Sequence, residues 1–376
     1  MRRPSLWVAV VYLALGLVGC GREPFRVGFS ATLTGPYSDL GIHGRNGARM
    51  AIEDINAAGG VYGRRLELLV ADDTGQPEGA PEADRRLAAQ GVVAIIGHMT
   101  SAMTTAALAV TKETGVPLVS PTTSTPLLQG QRDLFFRVHP TSDRAARALA
   151  RWVTGKPGLQ TVCTVRDLLN EAYASPWEAA FVEEYEKLNG PVICRLTYSS
   201  TDQAFLFSLV GTLRQSVPDM VLLISSARDT AFISRTLHEA GIPSLVVTSN
   251  WAQTDALLVD LGLHATGLLL ATHDAPTDTT ATLREFSWQY RKRFGVYPSF
   301  AAVRAYDAVR LLAAALEEAK GQPKHLVDAL SRPRTLDSLY GPIHIDAFGD
   351  ASGAVYLVAI KNGRFVVLQW IAGDMP

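Results

Sequence analysis

The sequence has few cysteines, almost no net charge and none of the motifs that commonly mark enzymes. Its three cysteines form no Cys-x-x-Cys pair and no Cys/His spacing typical of a metal site, so we expect no metal. A formal net charge of −1 gives no indication of a nucleic-acid partner. Because no Gly-x-Ser-x-Gly, Walker or His-Glu-x-x-His motif occurs, we expect a protein that is not an enzyme and needs no cofactor.

The N-terminus carries a strongly apolar segment. Arg2 and Arg3 precede the run Leu6–Val18, which is too short to span a bilayer and is typical of a secretory signal. The tetrapeptide Leu17-Val18-Gly19-Cys20 resembles the lipobox of bacterial lipoproteins. We therefore expect residues 1–19 to be removed and Cys20 to be lipidated, which would hold the protein on a membrane outside the cytoplasm. The alternative is an ordinary signal peptide in which Cys20 stands by chance.

The two remaining cysteines, Cys163 and Cys194, both fall in predicted strands. An oxidising compartment would permit a disulfide between them. Neighbouring parallel strands, however, seldom bring two Cβ atoms into disulfide geometry. We therefore expect two buried free thiols, with the disulfide as the alternative.

Strands and helices alternate along the chain, whose 376 residues suffice for two domains. In the first half the predicted strands are Phe25–Ser30, Arg65–Ala71, Val92–Ile96 and Val116–Val119, and the predicted helices are Arg45–Ala57, Pro81–Gln90 and Ala102–Glu113. The second half repeats this order, with a helix predicted to begin at Ser175 because Ser is a good N-cap and Pro176 suits a first turn. The alternation predicts an α/β fold with doubly wound, mostly parallel sheets.

Small hydroxyl residues follow two neighbouring strands of the first half. They are Ser101 after Val92–Ile96, and Thr122, Thr123 and Ser124 after Val116–Val119. Open α/β sheets bind ligands at the carboxyl ends of their strands, where helix N-terminal amides favour anions. We therefore predict a pocket for a polar or anionic head group at this edge. His98, beside it, is expected to be a hydrogen-bonded structural residue.

Segments spread over most of the chain form a recognisable combination. They are Thr34-Gly35-Pro36, AIEDINAAGGVYGRRLELLVADD at Ala51–Asp73, Ile96-Gly97-His98, Pro117-Leu118-Val119-Ser120-Pro121, Ala305-Tyr306-Asp307-Ala308 and Tyr340-Gly341-Pro342. This combination resembles the branched-chain amino acid (leucine/isoleucine/valine) binding-protein family, the substrate-binding proteins of ABC transporters.

The resemblance implies two doubly wound lobes joined by three crossovers, the type I periplasmic binding fold, with a ligand in the cleft. Lobe one would comprise residues 25–139 and 272–339, and lobe two residues 140–271 and 340–376. It further implies a monomer that binds a small molecule and delivers it to an ABC permease in the membrane. The alternative is a sensory module of the same fold that feeds a signalling partner.

The resemblance also assigns residues to both sides of the cleft. In lobe one the matching head-group contacts are Ser101, Thr122 and Ser124, with Thr123 beside them. In lobe two Tyr173 matches an aromatic contact, and Ser226 occupies a position that is often aromatic.

Two positions depart from the family pattern. Leu40 stands where some members have an aromatic residue against the ligand, and Tyr37 is expected to replace it in part. Asn250 stands where amino-acid binders place an acid that pairs with the ligand's ammonium, and an amide supplies no charge. Asp229, Glu171 or another acid would have to compensate if the ligand were an amino acid.

Trp251, next to Asn250, can stack on a flat ligand or close the wall of the cleft. Together with the missing acid it leads us to predict a small carboxylate or amide ligand, planar or aromatic. A branched-chain amino acid is the alternative.

Overall fold

The computed structural model describes residues 22–35, 38–199, 203–262, 267–276 and 280–372. The predicted signal at residues 1–19, the lipidation site Cys20 and the site residue Tyr37 lie outside these ranges. Within them, none of the helices combines the length and the apolar character that crossing a bilayer requires.

A five-stranded parallel sheet forms the centre of lobe one, in the order β2-β1-β3-β4-β5. Its strands are β1 (Phe25–Ala31), β2 (Leu66–Asp72), β3 (Ala94–Gly97), β4 (Leu118–Ser120) and β5 (Phe135–Arg137). The helices between them are α1 (Asp39–Ala57), α2 (Gly79–Ala89) and α3 (Ser101–Thr114). All residues of β1 except Arg26 are buried, because helices cover both faces of such a sheet.

Helix α1 begins at Asp39, six residues before its predicted start. Glycines weaken the helical pattern of this segment, yet two of them are required by close packing. A Cβ at Gly41 would lie 1.8 Å from the carbonyl oxygen of Thr32, and one at Gly47 would lie 1.9 Å from that of Ala302. Tertiary contact therefore outweighs the low helix propensity of glycine here.

A seven-stranded sheet forms the centre of lobe two, in the order β15-β14-β10-β9-β8-β6-β7. Its strands are β6 (Val162–Asp167), β7 (Val192–Tyr198), β8 (Met220–Ile224), β9 (Leu245–Ser249), β10 (Leu269–Thr272), β14 (Val355–Lys361) and β15 (Arg364–Ile371). Its helices are α4 (Asp143–Thr154), α5 (Glu171–Lys187), α6 (Gln203–Ser216), α7 (Ala227–Glu239) and α8 (Asp255–Leu261). The strands from β7 to β10 are parallel, whereas β14 and β15 form an antiparallel hairpin at the edge.

Helix α5 begins at Glu171, not at the predicted Ser175, and Pro176 lies inside it. The sequence signal of a Ser N-cap followed by proline was therefore misleading. The earlier start places Tyr173 in the first turn of α5.

Cys163 and Cys194 form a disulfide, so the expectation of two free thiols is wrong. The pairing of β6 with β7 shifts in register between Val162 and Cys163, which places the two cysteines directly opposite each other. Their Cα atoms are 4.6 Å apart, within the span that a disulfide requires.

The last third of the chain returns to lobe one before it completes lobe two. Its elements are α9 (Ala281–Phe294), α10 (Phe300–Glu318), α11 (Leu326–Leu330) and the antiparallel strands β11 (Arg334–Ser338), β12 (Gly341–Ile345) and β13 (Ala351–Ser352). Helix α10 packs on α1, where Gly47 meets Ala302.

The chain passes between the two lobes three times, after β5, after β10 and before β14, and β11, β12 and β13 form a small sheet of their own. The segment from β12 to β13 contacts β5, because Asp350 forms an ion pair with Arg137 at 2.5 Å. The predicted lobe boundary at residue 340 lies before this segment, and the boundaries at 140, 272 and 340 stay predictions.

Reduction of the Cys163–Cys194 disulfide is expected to lower the free energy of unfolding by about 2–4 kcal/mol, since the bond constrains the unfolded chain. Thermal unfolding with and without a reductant measures this effect. The double variant Cys163→Ser/Cys194→Ser, whose stability should not respond to reductant, is the control. An equal melting temperature of the wild type in both conditions would contradict the assignment.

Candidate functional site

Two adjoining chambers lie where the two lobes meet. The larger has a volume of about 200 Å³ and the smaller about 20 Å³. The large chamber is lined by Thr32, Thr34, Gly35, Asp39, Leu40, Thr74, Gly75, Gln76, Thr100, Met103, Leu169, Asn170, Ser226, Ala227 and Trp251. The small chamber is lined by Leu40, Met99, Thr100, Ser101, Thr122, Ser124, Asn170, Tyr173, Asn250, Trp251 and Phe300. Four shared residues show that the two chambers form one cleft.

Strand order explains the location of this cleft. Both sheets are doubly wound, so each has a switch point, a pair of neighbouring strands from which the chain continues in opposite directions across the sheet. The switch point lies between β1 and β3 in lobe one and between β6 and β8 in lobe two. Ligands of such sheets bind beyond the carboxyl ends of these strands. Thr32 and Thr100 follow β1 and β3, and Asn170 and Ser226 follow β6 and β8. The two switch points therefore face each other across the cleft.

Most of the predicted site residues are brought together at this cleft. Those that line it are Ser101, Thr122, Ser124, Tyr173, Ser226, Asn250 and Trp251. Thr123 does not line it, which corrects the prediction for that residue. Its Oγ1 lies 2.6 Å from Oγ1 of Thr104, and its backbone N–H donates to Oγ of Ser120. Thr123 therefore stabilises the loop after β4 without lining the cleft.

The N-terminus of α3 is shaped by local capping. Thr100 is the N-cap, and its Oγ1 accepts a hydrogen bond from the backbone N–H of Met103. The hydroxyl of Thr122 donates to the carbonyl oxygen of Met99 at 2.8 Å. These bonds hold the two strand-end loops of lobe one side by side, with Ser101 2% exposed between them.

Asn170 is a site residue that sequence reasoning missed. It lies in lobe two, and its Oδ1 accepts a hydrogen bond of 3.0 Å from the backbone N–H of Ala102 at the start of α3 in lobe one. We predicted that the N-terminal amides of this helix bind an anionic head group. One of them, the backbone N–H of Ala102, is instead bound by the opposite lobe. Asn170 lines both chambers and joins the two lobes directly.

Asn250 is bound to other protein groups at both ends of its amide. Its Oδ1 accepts a hydrogen bond of 2.8 Å from the hydroxyl of Tyr173, and its Nδ2 lies 3.3 Å from Nε2 of His139 and 3.5 Å from Oδ2 of Asp274. Burial raises the pKa of Tyr173, so its hydroxyl stays protonated and available as a donor. Trp251 packs edge-on against Tyr173, with ring centroids 5.9 Å apart.

A buried charged cluster lies behind Asn250, at the crossovers. Nε of Arg304 donates to Oδ1 of Asp274 at 2.7 Å, and Nε2 of His139 lies 3.0 Å from Oδ2 of the same carboxylate. Burial alone would raise the pKa of Asp274, but His139 and Arg304 together outweigh it and hold that pKa well below its usual range. Asp274 is therefore a carboxylate committed to the protein itself.

The same cluster connects all three crossovers. Arg304 donates to the carbonyl oxygens of Val138 in the first crossover and His273 in the second, at 3.1 and 2.9 Å. Nε2 of His273 lies 3.1 Å from the carbonyl oxygen of Thr141 in the first crossover. Its Nδ1 lies 2.7 Å from the carbonyl oxygen of Ala354 in the third crossover. The segments about which the lobes would move are thus tied at one point.

The acids expected to compensate for Asn250 do not line the cleft. Asp229 accepts a hydrogen bond of 2.9 Å from the hydroxyl of Tyr198, and Glu171 pairs with Arg166. Among the residues that the structure describes, the acid that does line the cleft is Asp39, the first residue of α1. It was missed because the start of α1 was placed too late.

His98 is fully buried and hydrogen-bonded, which confirms its structural interpretation. Its ring nitrogens lie 2.7 Å from Asp73 and 3.3 Å from Asp84. Burial alone would lower the pKa of His98, but Asp84 and Asp73 outweigh it and raise that pKa to about 10. Among the described residues, no group of three or more His, Cys, Asp and Glu side chains is arranged to hold a metal.

Arg304→Met is expected to lower the free energy of unfolding by about 3–5 kcal/mol, because it leaves the buried Asp274 carboxylate without its guanidinium partner. Denaturant unfolding measures the loss. The double variant Arg304→Met/Asp274→Asn should recover part of it. Arg85→Met, which breaks a half-exposed pair with Glu113, is the control and should cost no more than about 1 kcal/mol. Equal losses in the two single variants would refute the role of the cluster.

The Asp229 carboxyl predicts a pH effect on stability. Burial raises its pKa to about 6, so folding favours its protonated form. This contribution is complete at pH values below the ordinary pKa of Asp and is lost as the pH rises through about 6. Asp229→Asn, which keeps an acceptor for Tyr198, should therefore gain stability relative to the wild type between about pH 4 and about pH 7.

Denaturant unfolding at both pH values measures that difference, with the exposed Asp260→Asn as the control. A stability difference between Asp229→Asn and the wild type that stays constant with pH would contradict it.

Comparison with known proteins identifies the family. The sequence profile of the family described as periplasmic binding protein matches residues 24–364. The Leu/Ile/Val-binding protein homolog 3 of Brucella melitensis is 25% identical over 362 residues, covering 94% of this chain and 96% of that protein. A leucine binding protein from Thermotoga maritima has a similar structure, with a TM-score of 0.84, 25% identity and coverage of 92% of this chain and 98% of that one.

A second solved structure with the same TM-score of 0.84 is the solute binding protein of an ABC transporter from R. palustris in complex with benzoate. It is 21% identical and covers 93% of this chain and 96% of its own, and it shows the shared fold. The chain therefore belongs to the periplasmic binding protein family that includes the branched-chain amino acid binding proteins, and it has the type I fold of that family.

Proposed function

We propose that this protein is the lipid-anchored, extracytoplasmic solute-binding protein of an ABC importer and closes two lobes around a small polar ligand. The observation that carries the proposal is the cleft between the switch points of the two sheets, lined by hydroxyl, amide and aromatic side chains. Its larger chamber, about 200 Å³, is below the range of about 300–1,000 Å³ that is usual for drug-sized ligands. The ligand is therefore small.

The head group of the ligand is a carboxylate or amide bound at Ser101, Thr122 and Ser124. The start of α3 adds the positive end of a helix dipole at the same place. Asn250 supplies no charge for an ammonium, and Trp251 offers an aromatic wall. A planar or aromatic carboxylate fits these groups best, and a branched-chain amino acid is the alternative. The fold itself accommodates both, since its members include proteins in complex with leucine and with benzoate.

Closure of the cleft is the mechanism. Lobe one contributes the head-group residues and lobe two contributes Asn170, Tyr173 and Trp251, so a bound ligand contacts both lobes only when they are closed. The hydrogen bond from the backbone N–H of Ala102 to Asn170 joins the two lobes and stabilises the closed state. The three crossovers act as the hinge, and the permease recognises the closed form.

The remaining parts of the proposal follow from the N-terminal sequence and the family. Cys20 would carry the lipid anchor, and the mature protein would act as a monomer without a cofactor and without catalytic turnover of its ligand. Its place would be the periplasm or another extracytoplasmic surface.

A thermal-shift screen of amino acids, aromatic acids and amides tests the ligand class. We expect stabilisation by carboxylates that lack an amine, and Ser101→Ala should weaken binding of the best of them by about tenfold or more, because a hydrogen bond to a charged group contributes about 1.5–3 kcal/mol. Thr122→Val should act in the same direction, because it removes the bond to Met99 that holds the two strand-end loops together. Thr212→Val, exposed on α6, is the control. Strong stabilisation by leucine and none by acids lacking an amine would refute the non-amino-acid ligand.

A further inference from the structure

The large chamber has an apolar body and a polar end. Leu40, Met103, Leu169 and Trp251 supply apolar surface from both lobes. The hydroxyls of Thr32, Thr34 and Thr74 and the carboxyl of Asp39 belong to the loops that follow β1 and β2 and to the start of α1. None of these polar residues belongs to the proposed head-group site. The chamber can thus recognise a second polar group on the ligand, beyond its apolar part.

Two acids near this polar end are committed to the loops themselves. Asp72 accepts hydrogen bonds from the hydroxyl of Thr34 at 2.6 Å and from the backbone N–H groups of Leu33 and Thr74, both at 2.9 Å. Asp72 therefore holds the β1 and β2 loops together. It is not among the residues that line either chamber.

Asp73 is committed in the same way. Its Oδ1 accepts hydrogen bonds from the hydroxyl of Thr32 at 2.7 Å and from the backbone N–H of Gly75 at 3.0 Å, while its Oδ2 contacts His98. Asp73 is fully buried, so a ligand cannot reach it.

Asp39 differs from both of these acids. It is half-buried and is the one acidic residue among the described residues that line the two chambers. Desolvation raises the pKa of Asp39 more than the backbone N–H groups of Leu40 and Asp39 lower it. The protein solvates the Asp39 carboxylate poorly. A hydrogen-bond donor on a ligand would therefore offset the cost of its desolvation.

We propose that Asp39 determines specificity by accepting a hydrogen bond from a donor group, an amine or a hydroxyl, at the end of the ligand distant from its head group. This inference rests on the proposed function, and it defines the ligand class as a small acid with an apolar body and a distal donor. Among such ligands, a distal amine binds more tightly than a distal hydroxyl, because its charge adds to the hydrogen bond.

Isothermal titration calorimetry with two matched ligand series tests this assignment. The first series is benzoate, 4-hydroxybenzoate and 4-(aminomethyl)benzoate, and the second is norleucine and lysine. In at least one series the wild type should bind a donor-bearing member about tenfold more tightly than the parent compound. Asp39→Asn should lose most of this preference, whereas Asp337→Asn, an exposed substitution on β11, should keep it.

The outcomes separate this inference from the proposed function. Equal affinity of the wild type for parent and donor-bearing compounds would overturn the role of Asp39 alone. The role of Asp39 would also be overturned if Asp39→Asn kept the preference for the donor-bearing compound. An equal loss of affinity for both compounds would count as such a retained preference. If no member of either series binds, the carboxylate head group and the distal donor are both wrong.

Discussion

The buried ion pair between Arg304 and Asp274 is the interaction on which the arrangement of the two lobes depends. A charge removed from water is stable only when its partners are fixed, so this pair constrains every segment that supplies a partner. Those segments are the first crossover, through Val138 and His139, and the second, through His273. The ring of His273 in turn binds the third crossover at the carbonyl oxygen of Ala354. In the proposed mechanism, the hinge is this point held by charge and hydrogen bonds, and the cleft in front of it opens and closes.

This constraint also reaches the ligand site. Asn250 lies between the Asp274 cluster and Tyr173, and Tyr173 lines the small chamber together with Trp251. The residues of lobe two that line the small chamber are therefore positioned by hydrogen bonds to the charged cluster at the crossovers. In the proposed function, selectivity depends on other groups: the strand-end hydroxyls at the head group and the polar end of the large chamber.

The sequence predicted the parts of the fold and site that depend on strand ends. Ser101, Thr122 and Ser124 could be identified because buried strands are easy to recognise and their carboxyl ends meet at one edge of a sheet. The hydrogen bond between the hydroxyls of Thr123 and Thr104 could not be predicted, since the direction of a side chain within a loop depends on tertiary contacts. The disulfide was missed for a similar reason, because a register shift of one strand pair has no sequence signature.

Asn170 and Asp39 were missed because each lies at a helix start that the sequence signals misplace. Three glycines weaken the start of α1, and Pro176 suggests a later start of α5 than the structure has. In both cases tertiary packing decides where the helix begins, and a site residue lies at that point.

Closure of two lobes about the tied hinge is the central claim, and small-angle X-ray scattering tests it most directly. The radius of gyration of the protein should fall when a saturating amount of the best ligand from the screen is added, because the lobes approach each other. A ligand that binds by calorimetry but leaves the scattering profile unchanged would contradict the account.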